Sequence, residues 1–159
     1  MSDCCLTQLL ELYPAPVRTL AADLAALIRM AAPGAVEAVR PRLRCIRYSH
    51  PRCGYFCGLY PQVSSVQLLF EFGVLLPDPD DLLRGEGPYL RFATVREYHP
   101  LHVPALGQLI AGAYNLPRRR ADRIALAEKV AAQRRNTILL AEPQLDHRVH
   151  LRTPTSHTR

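Results

Sequence analysis

The chain has 159 residues, room for one domain with a short extension and for a sizeable buried core. Its apolar content of 48% is that of a globular protein; no apolar run reaches membrane-spanning length, and Met1-Ser2-Asp3 does not read as the basic start of a secretory signal. Five cysteines, an odd number, argue against a full disulfide framework and for reduced thiols packed as small apolar groups, so a cytoplasmic location is expected.

The net charge of +6 is uneven. Between Pro117 and Arg135, seven basic residues stand against only Asp122 and Glu128, so this segment carries +5 of it. The remainder of the chain is close to neutral.

Pro14 and Pro16 punctuate the start of a predicted helix over Ala15 to Ala32, where Leu20, Leu24, Leu27 and Ile28 fall on one stripe. Pro33-Gly34 stops it. Ala35 to Tyr48 alternates in part and reads as one irregular strand broken near Pro41. Ser49 to Arg52 reads as a turn and Cys53 to Tyr60 as an aromatic strand. Pro61-Gln62 links it to a third strand, Ser64 to Phe72, most simply as a hairpin.

Gly73 to Gly87 reads as a loop in which Asp80 or Asp81 caps a single turn holding Leu82 and Leu83. Tyr89 to Arg96 is a fourth predicted strand. Pro104 to Tyr114 is a helix with Leu106, Leu109, Ile110 and Ala113 on one face. Pro117 to Arg135 is another, with Ile124, Ala127, Val130 and Ala131 together. Asn136 to Leu140 is expected to be a short strand or a packing segment. The polar tail from Glu142, with three of the six histidines, is expected to fray.

A helix, a run of antiparallel strands and then helices make an α+β order. The expected architecture is a two-layer sandwich: a meander sheet of about four to five strands with helices on one face. Residues 1–115 would form this domain and 116–159 a basic helical extension with a polar tail.

Several ordered motifs carry a resemblance. They are Pro33-Gly34-Ala35-Val36-Glu37, then Gly54-Tyr55-Phe56, then Gly73 with Leu76-Pro77-Asp78-Pro79, then Leu83-Arg84-Gly85-Glu86-Gly87. Over roughly residues 9 to 115 the chain resembles the YdhG-like family, domain of unknown function 1801. The resemblance implies a frataxin-reminiscent α+β domain, and an iron-chaperone role attached to part of that family. Iron delivery needs clustered carboxylates. The first predicted helix here has only Asp23, and the aspartates of the Pro77-to-Gly87 loop read as turn formers.

Cysteine and histidine are the candidate ligands and nucleophiles. Cys53 and Cys57 on one strand would lie roughly 13 Å apart between Cα atoms, too far for one zinc ion. No nucleophile elbow, phosphate loop or dinucleotide fingerprint is present. Gly85-Glu86-Gly87 reads as a tight turn, and His99 and His102 as loop residues. No cofactor, metal or catalytic residue is assigned, and a non-catalytic binding module is expected.

Two candidate surfaces remain. The aromatic strands would place Tyr48, Tyr55 and Phe72 at a ligand or partner site, because alternation forces some rings away from the core. The basic residues Arg118, Arg119, Arg120, Arg123, Arg134 and Arg135 would bind nucleic acid weakly and nonspecifically through its phosphates, without base reading; the plain alternative is a solvated helix face. A second copy of the chain, through the sheet or the C-terminal helix, is the other partner left open.

Overall fold

A computed structural model describes residues 2–141. The chain forms helix α1 (Ser2–Leu10), helix α2 (Ala15–Ala31), strands β1 (Val36–Arg40), β2 (Cys45–His50), β3 (Gly54–Pro61), β4 (Val66–Phe70) and β5 (Arg91–Val95), and helices α3 (Val103–Tyr114) and α4 (Arg120–Ala141). The five strands make one antiparallel meander in sequence order. It is the α+β sandwich expected, with helices on one face.

Helix α2 starts where it must. Pro14 precedes its first turn and Pro16 lies inside it, where a missing N–H costs nothing. Leu20, Leu24, Leu27 and Ile28 are buried together with Val17, Ala21 and Ala25. Leu24 and Ile28 are fully enclosed, each contributing about 2 kcal/mol by removal from water. The helix ends as Ala32 N–H donates to Ile28 O and Gly34 takes a φ of +84°. Tyr114 Oη, at the end of α3, donates to Pro33 O at 2.9 Å and ties the two helix ends together.

Register defines the buried face. Val39, Ile46, Leu59, Leu68 and Ala93 stand directly across from one another through all five strands. Beside them runs the row Glu37, Tyr48, Cys57, Phe70, Arg91. Helices α2 and α3 cover these rows, with Leu9 and Leu10 of α1 joining the same core. Leu82 and Leu83 pack against it from the loop before β5. The edges differ: β1 is bordered by α1, whereas β5 exchanges two backbone hydrogen bonds with Arg84.

Three expectations are corrected. The irregular strand over Ala35 to Tyr48 is two strands: Pro41–Leu43 forms a 3-10 turn, Arg44 takes a left-handed φ of 50°, and β1 and β2 pair as a hairpin. Asp78, rather than Asp80 or Asp81, holds the loop, accepting from Leu82 N at 2.9 Å and Leu83 N at 2.8 Å. Asn136 to Leu140 continues α4 instead of leaving it. Helix α1 lies where no element is expected from the sequence. The tail from Glu142 lies outside the described residues.

Candidate functional site

A bulge decides which rings reach the surface. Tyr48 pairs with Cys57, but Ser49 pairs with Tyr55, so Phe56 is an extra residue in β3. Strict alternation would put Tyr55 on the core side with Cys57 and Leu59. The bulge turns it to the opposite face and leaves Phe56 buried, 5.3 Å from the Tyr114 ring.

That opposite face has no helix over it among the described residues. Its central row is Ala38, Arg47, Gly58, Leu69 and Phe92, in direct cross-strand register. Arg40 and Cys45 continue it on one side, with Tyr60, Gln67 and Thr94 in register beyond them. Cys45 and Gly58 are buried, and the rest are half-buried or exposed. No Asp or Glu stands among them.

Gly58 shapes the middle of this face. A Cβ there would meet Tyr55 Oη at 2.9 Å and Tyr60 Cε2 at 3.0 Å, so both rings close over a strand position with no side chain. Arg47 stacks on the first ring, its guanidinium carbon 4.0 Å from the Tyr55 centroid. Burial, and then the neighbouring Tyr60, push the Tyr55 phenol above its ordinary pKa.

At one end the face opens into a hollow of about 290 Å³ lined by Tyr13, Leu43, Arg44, Tyr60, Gln62 and Val63 among others. The β1–β2 hairpin therefore delivers Arg40, Arg42 and Arg44 to that end of the face, with Arg47 in the central row next to them. None of the four makes an ion pair among the described residues. The signal was legible as four arginines within eight residues, free of any acid, but it was masked by the larger charge of the C-terminal helix.

The expected aromatic trio is not brought together. Tyr55 is on the open face. Tyr48 is 1% exposed beneath the helices, and Phe72 is buried beyond the end of β4. Phe72 is roofed by α4: Arg120 and Arg123 place their guanidinium carbons 5.5 and 5.0 Å from its ring centroid, and Tyr89 stands at its edge.

The six expected basic residues do not form one surface either. Arg118 and Arg119 are exposed ahead of α4. Arg120 lies 3.8 Å from Glu71. Arg123 is only 4% exposed and donates to Cys53 O at 3.2 Å. Arg123, Ala127 and Arg134 follow helical spacing on the side that meets the body. Arg134 lines a polar hollow where Asp78, Asp81 and Glu86 balance Arg84 and Arg91, and Arg135 stands beside Tyr89. Helix α4 thus spends much of its charge on docking.

The cysteines and histidines have local roles. Cys45, Cys53 and Cys57 are free thiols, and full burial raises the Cys57 pKa, which leaves it a poor nucleophile. His50 Nδ1 accepts from Arg52 N, and His99 Nδ1 from Leu101 N. Among the described residues no three His, Cys, Asp or Glu side chains converge as a metal set.

Tyr48 gives a test of the core side. Its hydroxyl is buried close to the Glu37 carboxylate but outside good hydrogen-bond geometry, and burial followed by that carboxylate pushes its pKa well above the ordinary value. Tyr48→Phe removes an unsatisfied group and is expected to raise stability at neutral pH by about 1 kcal/mol. The unfolded phenol ionises near pH 10 while the folded one stays protonated, so the wild type loses stability above about pH 10 and the variant loses less. Urea unfolding at about pH 7 and about pH 10.5 measures both effects; a large loss at neutral pH would show a hydrogen bond to this hydroxyl.

No helix among the described residues is long and apolar enough to cross a membrane. Comparison with protein-family models, curated proteins and solved structures finds no match to this chain.

Proposed function

We propose that this chain is a cytoplasmic, non-catalytic binding module of the YdhG-like kind, whose open sheet face takes an anionic partner. The observation that carries the reading is the composition of that face's two central rows: Arg40 and Arg47 with Tyr60, Leu69 and Phe92, Tyr55 beside them, and no carboxylate in either row. An aromatic, cationic surface on rigid strands is suited to recognition. Its guanidiniums are available because no acid neutralises them. The YdhG-like motifs support the family part of the proposal: they run in chain order through an α+β sandwich, the kind of domain the resemblance implies.

Heparin chromatography tests the proposal directly. The combined variant Arg40→Ala, Arg42→Ala, Arg44→Ala and Arg47→Ala is expected to elute at markedly lower salt than wild type. Arg118→Ala with Arg119→Ala, which removes two charges rather than four, is expected to shift elution much less. Each lost contact to a polyanion lowers the slope of log affinity against log salt by roughly 0.7 to 0.9. Equal shifts per charge from the two regions would point to net charge alone and defeat the reading.

A further inference from the structure

Resting on that reading of the open face, we infer that its partner is single-stranded nucleic acid, with bases stacked on the sheet and one base seated in the hollow beside Tyr60. Tyr60 and Phe92 are half-exposed rings on the same face. Phe92 is two strands from the Tyr60 strand, so roughly 10 Å separates the two lines of stacking surface. On the other side of the Tyr60 strand from Phe92, β2 adds Arg47, a planar guanidinium backed by the Tyr55 ring at 4.0 Å. Rings and guanidinium planes on a rigid sheet accept unstacked bases, whose π faces are hidden in a duplex.

The polar groups fit the same ligand. The hollow combines two phenols, Tyr13 and Tyr60, with the Arg44 guanidinium and the Gln62 amide. Gln62 donates to Tyr60 O at 3.3 Å, which holds its amide at the rim. These groups can bond the polar edge of a base while Leu43 and Val63 wall it in. Arg40, Arg42 and Arg44 line the approach along the hairpin, where a phosphate backbone would run. A protein partner would not require such planar surfaces, and a compact anion would not span them. Base stacking explains why the central rows of an exposed face keep rings and arginines together with no carboxylate among them.

The test is fluorescence anisotropy with a labelled oligothymidine about a dozen nucleotides long, within the usual span of single-strand sites. A matching duplex serves as competitor. The single strand is expected to bind at low salt and the duplex at least tenfold more weakly. Tyr60→Ala is expected to weaken single-strand binding by about tenfold, and Tyr60→Phe to restore most of it, since stacking survives loss of the hydroxyl. Phe92→Ala provides an independent ring at the other edge should Tyr60→Ala disturb folding, which a thermal melt would reveal. Equal binding of duplex and single strand, or affinity indifferent to both ring variants, overturns the inference. Heparin retention that depends on the hairpin arginines without any oligothymidine binding overturns it too, but leaves the anionic-partner reading standing. If the hairpin arginines do not govern heparin retention, both fall.

Discussion

Phe70→Ala will cost about 3–5 kcal/mol of stability, the range for deleting a fully buried aromatic ring. Phe70 has no exposed surface and stands in the helix-side row between Cys57 and Arg91. The C-terminal ends of the helices above it are tied together through Tyr114 and Pro33, so the cavity can collapse only in part. Domains of this size have about 5–15 kcal/mol of stability in total, so the variant will stay folded with little reserve. Urea unfolding should show a lower midpoint with an unchanged slope. The contrast is Val63→Ala at an 81% exposed position, which should move stability by no more than about 0.5 kcal/mol. A similar response at both positions would mean that Phe70 is not under the helical layer.

Gly73→Ala has the second large effect, and its cause is backbone rather than side chain. A Cβ at Gly73 would overlap Arg91 Cβ and stand 3.0 Å from Arg91 N. Neither is the far end of a flexible group, so the turn at Gly73–Leu75 or strand β5 must move. We expect a loss of about 3 kcal/mol, the upper part of the range for overpacking. The same turn follows Phe72 and receives α4, so α4 should loosen first. Limited trypsin digestion should then cut at Arg134 and Arg135 faster than in wild type, reporting local opening. Gly87→Ala, which meets nothing within 4 Å, is the control and should leave both measurements unchanged. An unaffected Gly73→Ala would show that β5 and the turn are not in contact.

Local signals located the regular elements well. The stripe of Leu20, Leu24, Leu27 and Ile28, closed by Pro33-Gly34, placed α2 to within one residue. The Leu106, Leu109, Ile110 and Ala113 face did the same for α3. Errors arose where pairing, not periodicity, decides. Pro41 breaks the chain direction only because β1 and β2 fold back as a hairpin, and no local rule distinguishes that from a kink. Basic residues at Arg134 and Arg135 resemble a helix end, yet α4 continues through Thr137 and Ile138.

The candidate site was less legible for the same reason. Tyr55 reaches the open face through a bulge that exists only in the β2–β3 ladder. Arg123 looks like surface charge in the sequence, but its partner, Cys53 O, lies seventy residues away. Three of the residues that matter most on the open face, Arg47, Tyr60 and Phe92, each occupy an ordinary strand position. Only cross-strand register gathers them.

The two borders of the sheet bear on how the protein behaves when concentrated. A strand with free backbone groups invites another chain to add itself, and repeated addition makes fibres. Here the Arg84 bridge blocks the β5 side with a single residue. The β1 side is only five residues long, is bordered by α1, carries Glu37 and Arg40, and runs into Pro41, which has no N–H to offer. The molecule can therefore leave an entire sheet face bare for recognition without its copies polymerising edge to edge.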